Sequence, residues 1–271
     1  MFGRRPDATL VRELSATRRF MPILSPRRND NLVWFELDVE VERALAWAGE
    51  RSVARDPERP ITLFHVILAA LARILHERPR LNRFTAGGRL WQRDGVWLTF
   101  SAKMRFDEDA PLLTVKRRVD PTLPIEPMVD ALLDSLERGR RGEATASDRE
   151  VSGLLHLPPV LARALVKLAD LADAFGLLPR AMLEADPLNA SVFVANLGSV
   201  GLEAGYHHLW EHGNCPIFVV IGKVKPGPRG ARVATLKFSY DERIEDGLYC
   251  ARSLERLREL IEQPEKLDAA G

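Results

Sequence analysis

Cysteine is scarce in this 271-residue sequence: Cys215 and Cys250 are the only two. They make neither a disulfide framework nor a C-x-x-C site, and they suit a reducing compartment. Excess charge is also missing, because 39 basic residues stand against 38 acidic ones. A surface dedicated to nucleic acid or to an anionic membrane would need a basic excess, so neither partner is expected. Only seven of the basic residues are lysine, an arginine bias that reads as composition rather than as a binding surface. Long apolar runs are absent too. The longest candidate, 157–183, is broken by Arg163, Lys167, Asp170, Asp173 and Arg180, which fits a partly buried helix and not a membrane span. The first residues carry charge with no apolar stretch of signal length behind them, so a soluble cytoplasmic protein is expected. Two nucleotide motifs are missing as well, G-x-x-x-x-G-K-[ST] and G-x-G-x-x-G.

What is present is enough apolar material for a large core, at 46% of residues. Leu37, Val39 and Val41 alternate with Glu36, Asp38 and Glu40, which predicts a strand over 32–41. A short helix over 43–48 follows. A strongly apolar helix then opens at Pro60 and Thr62, runs through Leu63, Ile67, Leu71 and Leu75, and stops before Pro79. Asp94-Gly95 predicts a hairpin turn between 90 and 97, with a strand continuing through Leu98 and Phe100. Further strands are expected at 112–119, 192–197, 217–221 and 233–238, and helices at 127–138, 158–175 and 247–262. The polar stretch 139–152 reads as a loop, and Lys225-Pro226-Gly227-Pro228-Arg229-Gly230 as a solvated hairpin tip. Strands and helices alternate without a linker, so the expectation is one α/β domain with a mixed sheet.

The densest ionisable cluster is Tyr206-His207-His208-Leu209-Trp210-Glu211-His212-Gly213. His208, Glu211 and His212 match the H-x-x-E-H spacing of one class of zinc hydrolases, where two histidines one helical turn apart hold the metal. Gly201, Gly205, Gly213 and Pro216 bracket the segment too tightly for the helix that chemistry needs. A loop whose histidines line a cleft or a subunit contact is the stronger expectation, and no metal site is assigned. Cys250, early in the last helix, has no histidine near it in sequence and reads as a packed thiol.

The last third of the chain runs Val192-Phe193-Val194-Ala195-Asn196-Leu197-Gly198, then Ile217-Phe218-Val219-Val220-Ile221-Gly222, then Ser239-Tyr240-Asp241-Glu242-Arg243-Ile244-Glu245-Asp246-Gly247. This order resembles the catalytic domain of the 2-oxoacid dehydrogenase dihydrolipoyl acyltransferases, whose pattern is S-N-L-G, a strand ending in I-G, and S-x-D-H-R-x-x-D-G. Pro79-Arg80-Leu81-Asn82 is similar to the family's P-x-L-N, and Leu37-Asp38-Val39 to its early strand. The resemblance implies a chloramphenicol acetyltransferase-like two-layer sandwich with a mixed β-sheet and flanking helices. It covers 15–265 as a single domain after an N-terminal extension, 1–14. It also implies a homotrimer with the site between subunits, and CoA or acyl-CoA as substrate or ligand, with no covalent cofactor. No D-K-A lipoylation motif occurs and no lipoyl or subunit-binding domain is expected, so the chain looks like a stand-alone member. Its 139–185 stretch is longer and more apolar than the family's, with Leu161, Leu165, Leu168, Leu171 and Phe175 available for an extra contact surface or for the core.

Two departures fall on the chemistry that the resemblance implies. The family's base histidine, matched to neutral pH, is Glu242 here, and a carboxylate of ordinary pKa near ~4.3 is a poor base. The family's oxyanion hydroxyl falls at Ala195, and losing one such donor costs about 3 kcal/mol. Asn196 and Asp246 are retained, and in the family that Asp forms an ion pair; Arg18, Arg19, Arg27 and Arg28 are its candidate partners. Glu242 itself reads equally as a polar cleft residue or as an exposed carboxylate beside Arg243. The expectation is therefore acyl transfer between a CoA thioester and a thiol or hydroxyl acceptor, weakened, altered or lost. Three alternatives stand beside it: a non-catalytic trimeric assembly or regulatory subunit with a protein partner, a zinc hydrolase through His208, Glu211 and His212, and His207 or His208 replacing the lost base.

Overall fold

A computed structural model describes residues 4–103, 107–110, 112–141 and 153–268. Most of the predicted loop, 142–152, lies outside the described residues. The central sheet has six strands: β2 (Leu32–Glu40), β5 (Val96–Lys103), β6 (Leu112–Val119), β7 (Val192–Asn196), β8 (Ile217–Pro226) and β9 (Arg232–Asp241). Their order is β2-β9-β8-β7-β5-β6, parallel for β5–β7–β8 and antiparallel elsewhere. A second, three-stranded antiparallel sheet joins β1 (Ala8–Leu10), β4 (Arg89–Arg93) and β3 (Arg83–Ala86). The segment expected as an N-terminal extension thus supplies an edge strand of this smaller sheet.

Alternation along the strands separates two apolar layers. Val192 and Val194 on β7, Val219 and Ile221 on β8, and Leu236 and Phe238 on β9 face the main core. That core is closed by α2 (Glu42–Ser52), α3 (Leu63–Glu77), α4 (Ile125–Arg140) and α7 (Gly247–Glu262). Phe193, Phe218 and Val220 point to the other face, where a smaller cluster forms with Ala204, Leu209 and Cys215 of the long β7–β8 connection. Two further helices, α5 (Pro159–Ala174) and α6 (Arg180–Ala185), precede β7, and α1 (Ala16–Leu24) precedes β2.

α3 begins where Thr62 N–H donates to Nδ1 of His65, three residues on, at 3.1 Å, and it buries ten residues before Pro79 stops it. The predicted hairpin at Asp94-Gly95 is corrected: β4 and β5 belong to different sheets, and the turn there carries the chain from one to the other. The hairpin turns instead at Gly87-Gly88, both in the left-handed region, between β3 and β4. Turn chemistry marks where the backbone reverses but not which strands pair.

Candidate active site

The β7 end and the β9 end carry the motif residues, and strand register fixes where each lies. Ala195 pairs with Val220 and Asn196 with Ile221, near the middle of β8. Tyr240 pairs with Ile217, and Asp241 N–H donates to Pro216 O at 3.0 Å, at the start of β8. Ala195 and Glu242 are therefore separated within one chain by about five residues of strand, on the order of 17 Å. A single copy does not bring them together.

Asn196 caps the turn Leu197–Val200, accepting the Ser199 N–H at 3.2 Å while Ser199 Oγ donates to Asn196 O at 2.7 Å. Gly198 is required at that turn, because a Cβ there would meet the Gly222 carbonyl oxygen at 2.6 Å. The glycines of the two matched motifs are thus one close backbone contact.

Beyond β9, Asp241 and Arg243 form a buried pair, with Nε donating at 2.8 Å and Nη2 at 2.7 Å to the carboxylate. Arg243 also donates to Ser25 O and Pro26 O, and Arg28 lies 3.8 Å from Asp241. Glu242, between these two, is exposed, and its N–H donates to Asn31 O at 3.0 Å. Arg18 Nη1 donates to the Glu242 carbonyl at 2.8 Å, so the backbone of position 242 is held from outside. Asp246 departs from its expected role. It caps α7 by accepting the Tyr249 N–H at 2.9 Å, a bond that holds its carboxyl below the usual range. The ion pairs fall one residue earlier, on Glu245, which is within reach of Arg83 at 3.1 Å, Arg80 at 3.5 Å and Arg18 at 3.9 Å. Of the four candidate arginines, Arg18 is thus the one at this loop's carboxylates and Arg28 the one at Asp241. Charge sign alone could not choose among them in the sequence.

His207 and His208 lie on the open face of the sheet, with Ala195. The His207 ring stacks on Phe218 at 4.0 Å between centroids and on His208 at 4.4 Å. Phe218 is the cross-strand partner of Phe193, so His207 sits one side-chain row from Ala195, about 7 Å along the strand. Its backbone is fixed by Ser239 Oγ, which donates to His207 O. His207 Nδ1 lies 2.7 Å from His208 O, and a carbonyl only accepts, so Nδ1 carries the proton and Nε2 presents a lone pair. Burial, and then His207, push the His208 imidazole below its ordinary value.

The segment around these histidines is a loop, as expected. Glu211 accepts the backbone N–H groups of Arg28 at 3.0 Å and Asn29 at 2.9 Å. Burial raises its carboxyl, but these bonds outweigh that and leave it below its usual range. His212 Nδ1 meets Asp170 at 2.5 Å and Nε2 lies 3.5 Å from Asp186. Glu211 and His212 are thus engaged in tying the loop to its neighbours. Among the described residues, no group of three or more His, Cys, Asp or Glu side chains is arranged to hold a metal ion. Cys250 is buried against the main core, its thiol pushed up to about 12. No helix among the described residues is long and apolar enough to cross a membrane.

No family model matches the sequence, and no curated protein matches it. Solved structures do. The chain is similar to the Azotobacter vinelandii dihydrolipoamide acetyltransferase, in which a serine, a histidine and an asparagine have been studied for their role in the catalytic mechanism; identity is 18% over 96% of this chain and 94% of that one, with a TM-score of 0.63. It is similar to a probable dihydrolipoamide acetyltransferase from Listeria monocytogenes, at 14% identity over 96% of this chain and 98% of that one, TM-score 0.62. It is also similar to chloramphenicol acetyltransferase, at 13% identity over 94% and 99% of the two chains, TM-score 0.57. The mixed sheet with its packed helices has the fold shared by the dihydrolipoamide acetyltransferase catalytic domain and chloramphenicol acetyltransferase.

Proposed function

We propose that the chain transfers an acyl group from a CoA thioester to a small thiol or hydroxyl acceptor, with His207 taking the base role that position 242 has lost. The observation that carries this is the His207 ring on the Ala195 face of the sheet, its Nδ1 committed to a carbonyl and its Nε2 free to accept a proton. In the proposed step, Nε2 removes the acceptor's proton as its sulfur or oxygen attacks the thioester carbonyl. The tetrahedral intermediate then expels the CoA thiolate, which takes up that proton. On the motif resemblance we read Ala195, Glu242 and Asp246 at the positions of the serine, histidine and asparagine studied in the Azotobacter enzyme. The last two keep the same four-residue spacing. The separation of Ala195 from Glu242 within one chain supports a site built between copies, and we read the active assembly as a homotrimer.

Thiol release from a series of acyl-CoAs tests the reading. Wild-type protein is expected to turn over, His207→Gln to lose about 10²–10⁴-fold, and Glu242→Ala to stay near wild type. Turnover unaffected by His207→Gln, or abolished by Glu242→Ala, overturns the assignment. A second reading, a non-catalytic assembly or regulatory subunit, draws on the paired replacements at Ala195 and Glu242. It predicts CoA binding without thiol release by the wild type, and activity gained by Ala195→Ser/Glu242→His.

A further inference from the structure

The body holds α5 in one rotation. Arg5, itself buried, donates to the Asp173 carboxylate at 2.6 Å and to the Asp173 carbonyl at 2.8 Å, and His212 meets Asp170 at 2.5 Å. The β3–β4 hairpin meets the last turn backbone to backbone, so closely at Gly87 that a Cβ there would collide with Ala174 O. This rotation turns the small Ala162, Ala169 and Ala172 toward the body and the leucines away from it. Burial of apolar area against the helix's own body would favour the reverse, so the outward face has another surface to meet.

Its spacing is that of a helix–helix contact. Leu161, Ala164, Leu168, Leu171 and Phe175 follow one another by alternate steps of three and four residues, the pattern of a two-helix seam, and all five are exposed. Val160 and Leu165 widen the seam, and its six large side chains are 45% to 77% exposed. Each covers on the order of 200 Å² in full, so together they present roughly 600 Å² per copy. Apolar side chains alone thus offer most of the ~800 Å² that each member of a stable pair contributes.

Charge selects the occupant. Arg163 and Lys167 lie in the first half of α5, and Asp170 and Asp173 in the second. A second α5 turned end for end sets each charged half beside the opposite one and opposes the two helix dipoles, whereas a parallel partner sets like beside like. An anionic lipid surface favours helices rich in lysine and arginine, and here the acids equal the bases in number.

We propose that α5 pairs with α5 of a second copy, antiparallel about a two-fold axis, with the leucines interdigitating and Ala164 as the small position in the seam. Each chain offers one such face, so in a homotrimer the contact joins one trimer to the next. The pairing is independent of the acyl-transfer reading.

Sedimentation equilibrium of wild type and Leu168→Glu/Leu171→Glu tests it. Both changes lie on the exposed face, so the thermal midpoint is expected to hold. Wild type is expected at twice the mass of the variant or more, falling toward it on dilution. Nitroxide labels on Lys167→Cys and Val160→Cys read the geometry, since the native Cys215 and Cys250 are buried. Antiparallel pairing places the labels at 160 about 15–20 Å farther apart than those at 167, while a parallel pair gives equal separations. Equal masses for wild type and variant overturn the pairing, and equal label separations overturn its antiparallel form. Wild type that stays unassociated but sediments with phosphatidylglycerol vesicles also overturns it and gives the face to a lipid surface.

Discussion

α3 and α5 are apolar helices of nearly equal length, 15 and 16 residues, yet they do opposite things with their side chains. α3 turns Ile67, Leu68, Leu71 and Leu75 inward, and all four are buried in the main core. α5 buries no residue. It rests on the body through Ala162, Val166, Ala169 and Ala172, and turns Leu161, Leu165, Leu168, Leu171 and Phe175 outward, each 45% to 60% exposed. Its attachment is electrostatic: Arg5 holds Asp173 at 2.6 Å, and His212 holds Asp170. The comparison separates two properties that a helical repeat merges. Periodicity says that a face exists, but the depth of the layer beneath decides whether large or small residues meet it. A helix against a sheet can seat leucines, whereas one lying on a loop and a small sheet makes contact through alanines.

The largest effect expected from this contrast is in α3. Leu68→Ala, fully buried, should cost about 2–5 kcal/mol in denaturant unfolding, because a cavity is left in a packed layer. A cost near zero would mean that α3 is no more integral than α5.

The two helices should also answer pH in opposite directions. His65 is buried at the start of α3, where burial and then Arg55 push its imidazole down to about 4. With the folded value below the ordinary ~6.5, the contribution is present above pH ~6.5 and lost as pH falls toward 4, an acid destabilisation of about 3 kcal/mol. His212, beside α5, moves the other way: its hydrogen bond with Asp186, set against burial and joined by Asp170, raises it to about 9. That contribution is complete below pH ~6.5 and lost as pH rises through 9, so amide exchange in α5 should quicken in alkali while α3 stays protected. His65→Gln should abolish the acid limb alone, and an unchanged acid limb would remove His65 as its cause.

The smallest effect is expected on the outer face of α5. Leu165→Gln/Leu168→Gln should change unfolding free energy by no more than about 0.5 kcal/mol per site, while lowering self-association measured by sedimentation. A loss of several kcal/mol would show that these leucines are buried in the folded protein.

Much of the sheet was legible in the sequence because period-two alternation marks which side of a strand is covered. The pattern of Glu36, Leu37, Asp38 and Val39 maps directly onto β2, where Leu37 and Val39 are buried and the acidic residues are exposed. α7 was equally legible, because its apolar residues recur at helical period and Leu257, Leu260 and Ile261 are buried. The hairpin was not: Asp94-Gly95 and Gly87-Gly88 carry similar turn chemistry, and only the pairing of Arg83 with Gln92 and Phe84 with Trp91 distinguishes them. Ala195 and Asn196 fall at the end of β7, within the strand predicted there, and Glu242 falls just past β9. The ion pairs of Glu245 stayed hidden, because their members come from distant parts of the chain.

The sequence by itself determined most of the elements and put an alanine at position 195 and a glutamate at position 242, which depend on residue identity and local period. Only the tertiary structure decided that Ala195 lies beside the body of β8 while Glu242 lies beyond its start, that His207 joins Ala195 on the open face, and that Glu245 gathers arginines from distant parts of the chain. Those are facts of register and of packing between remote segments, and a linear pattern holds no record of which strands meet or which charges find each other.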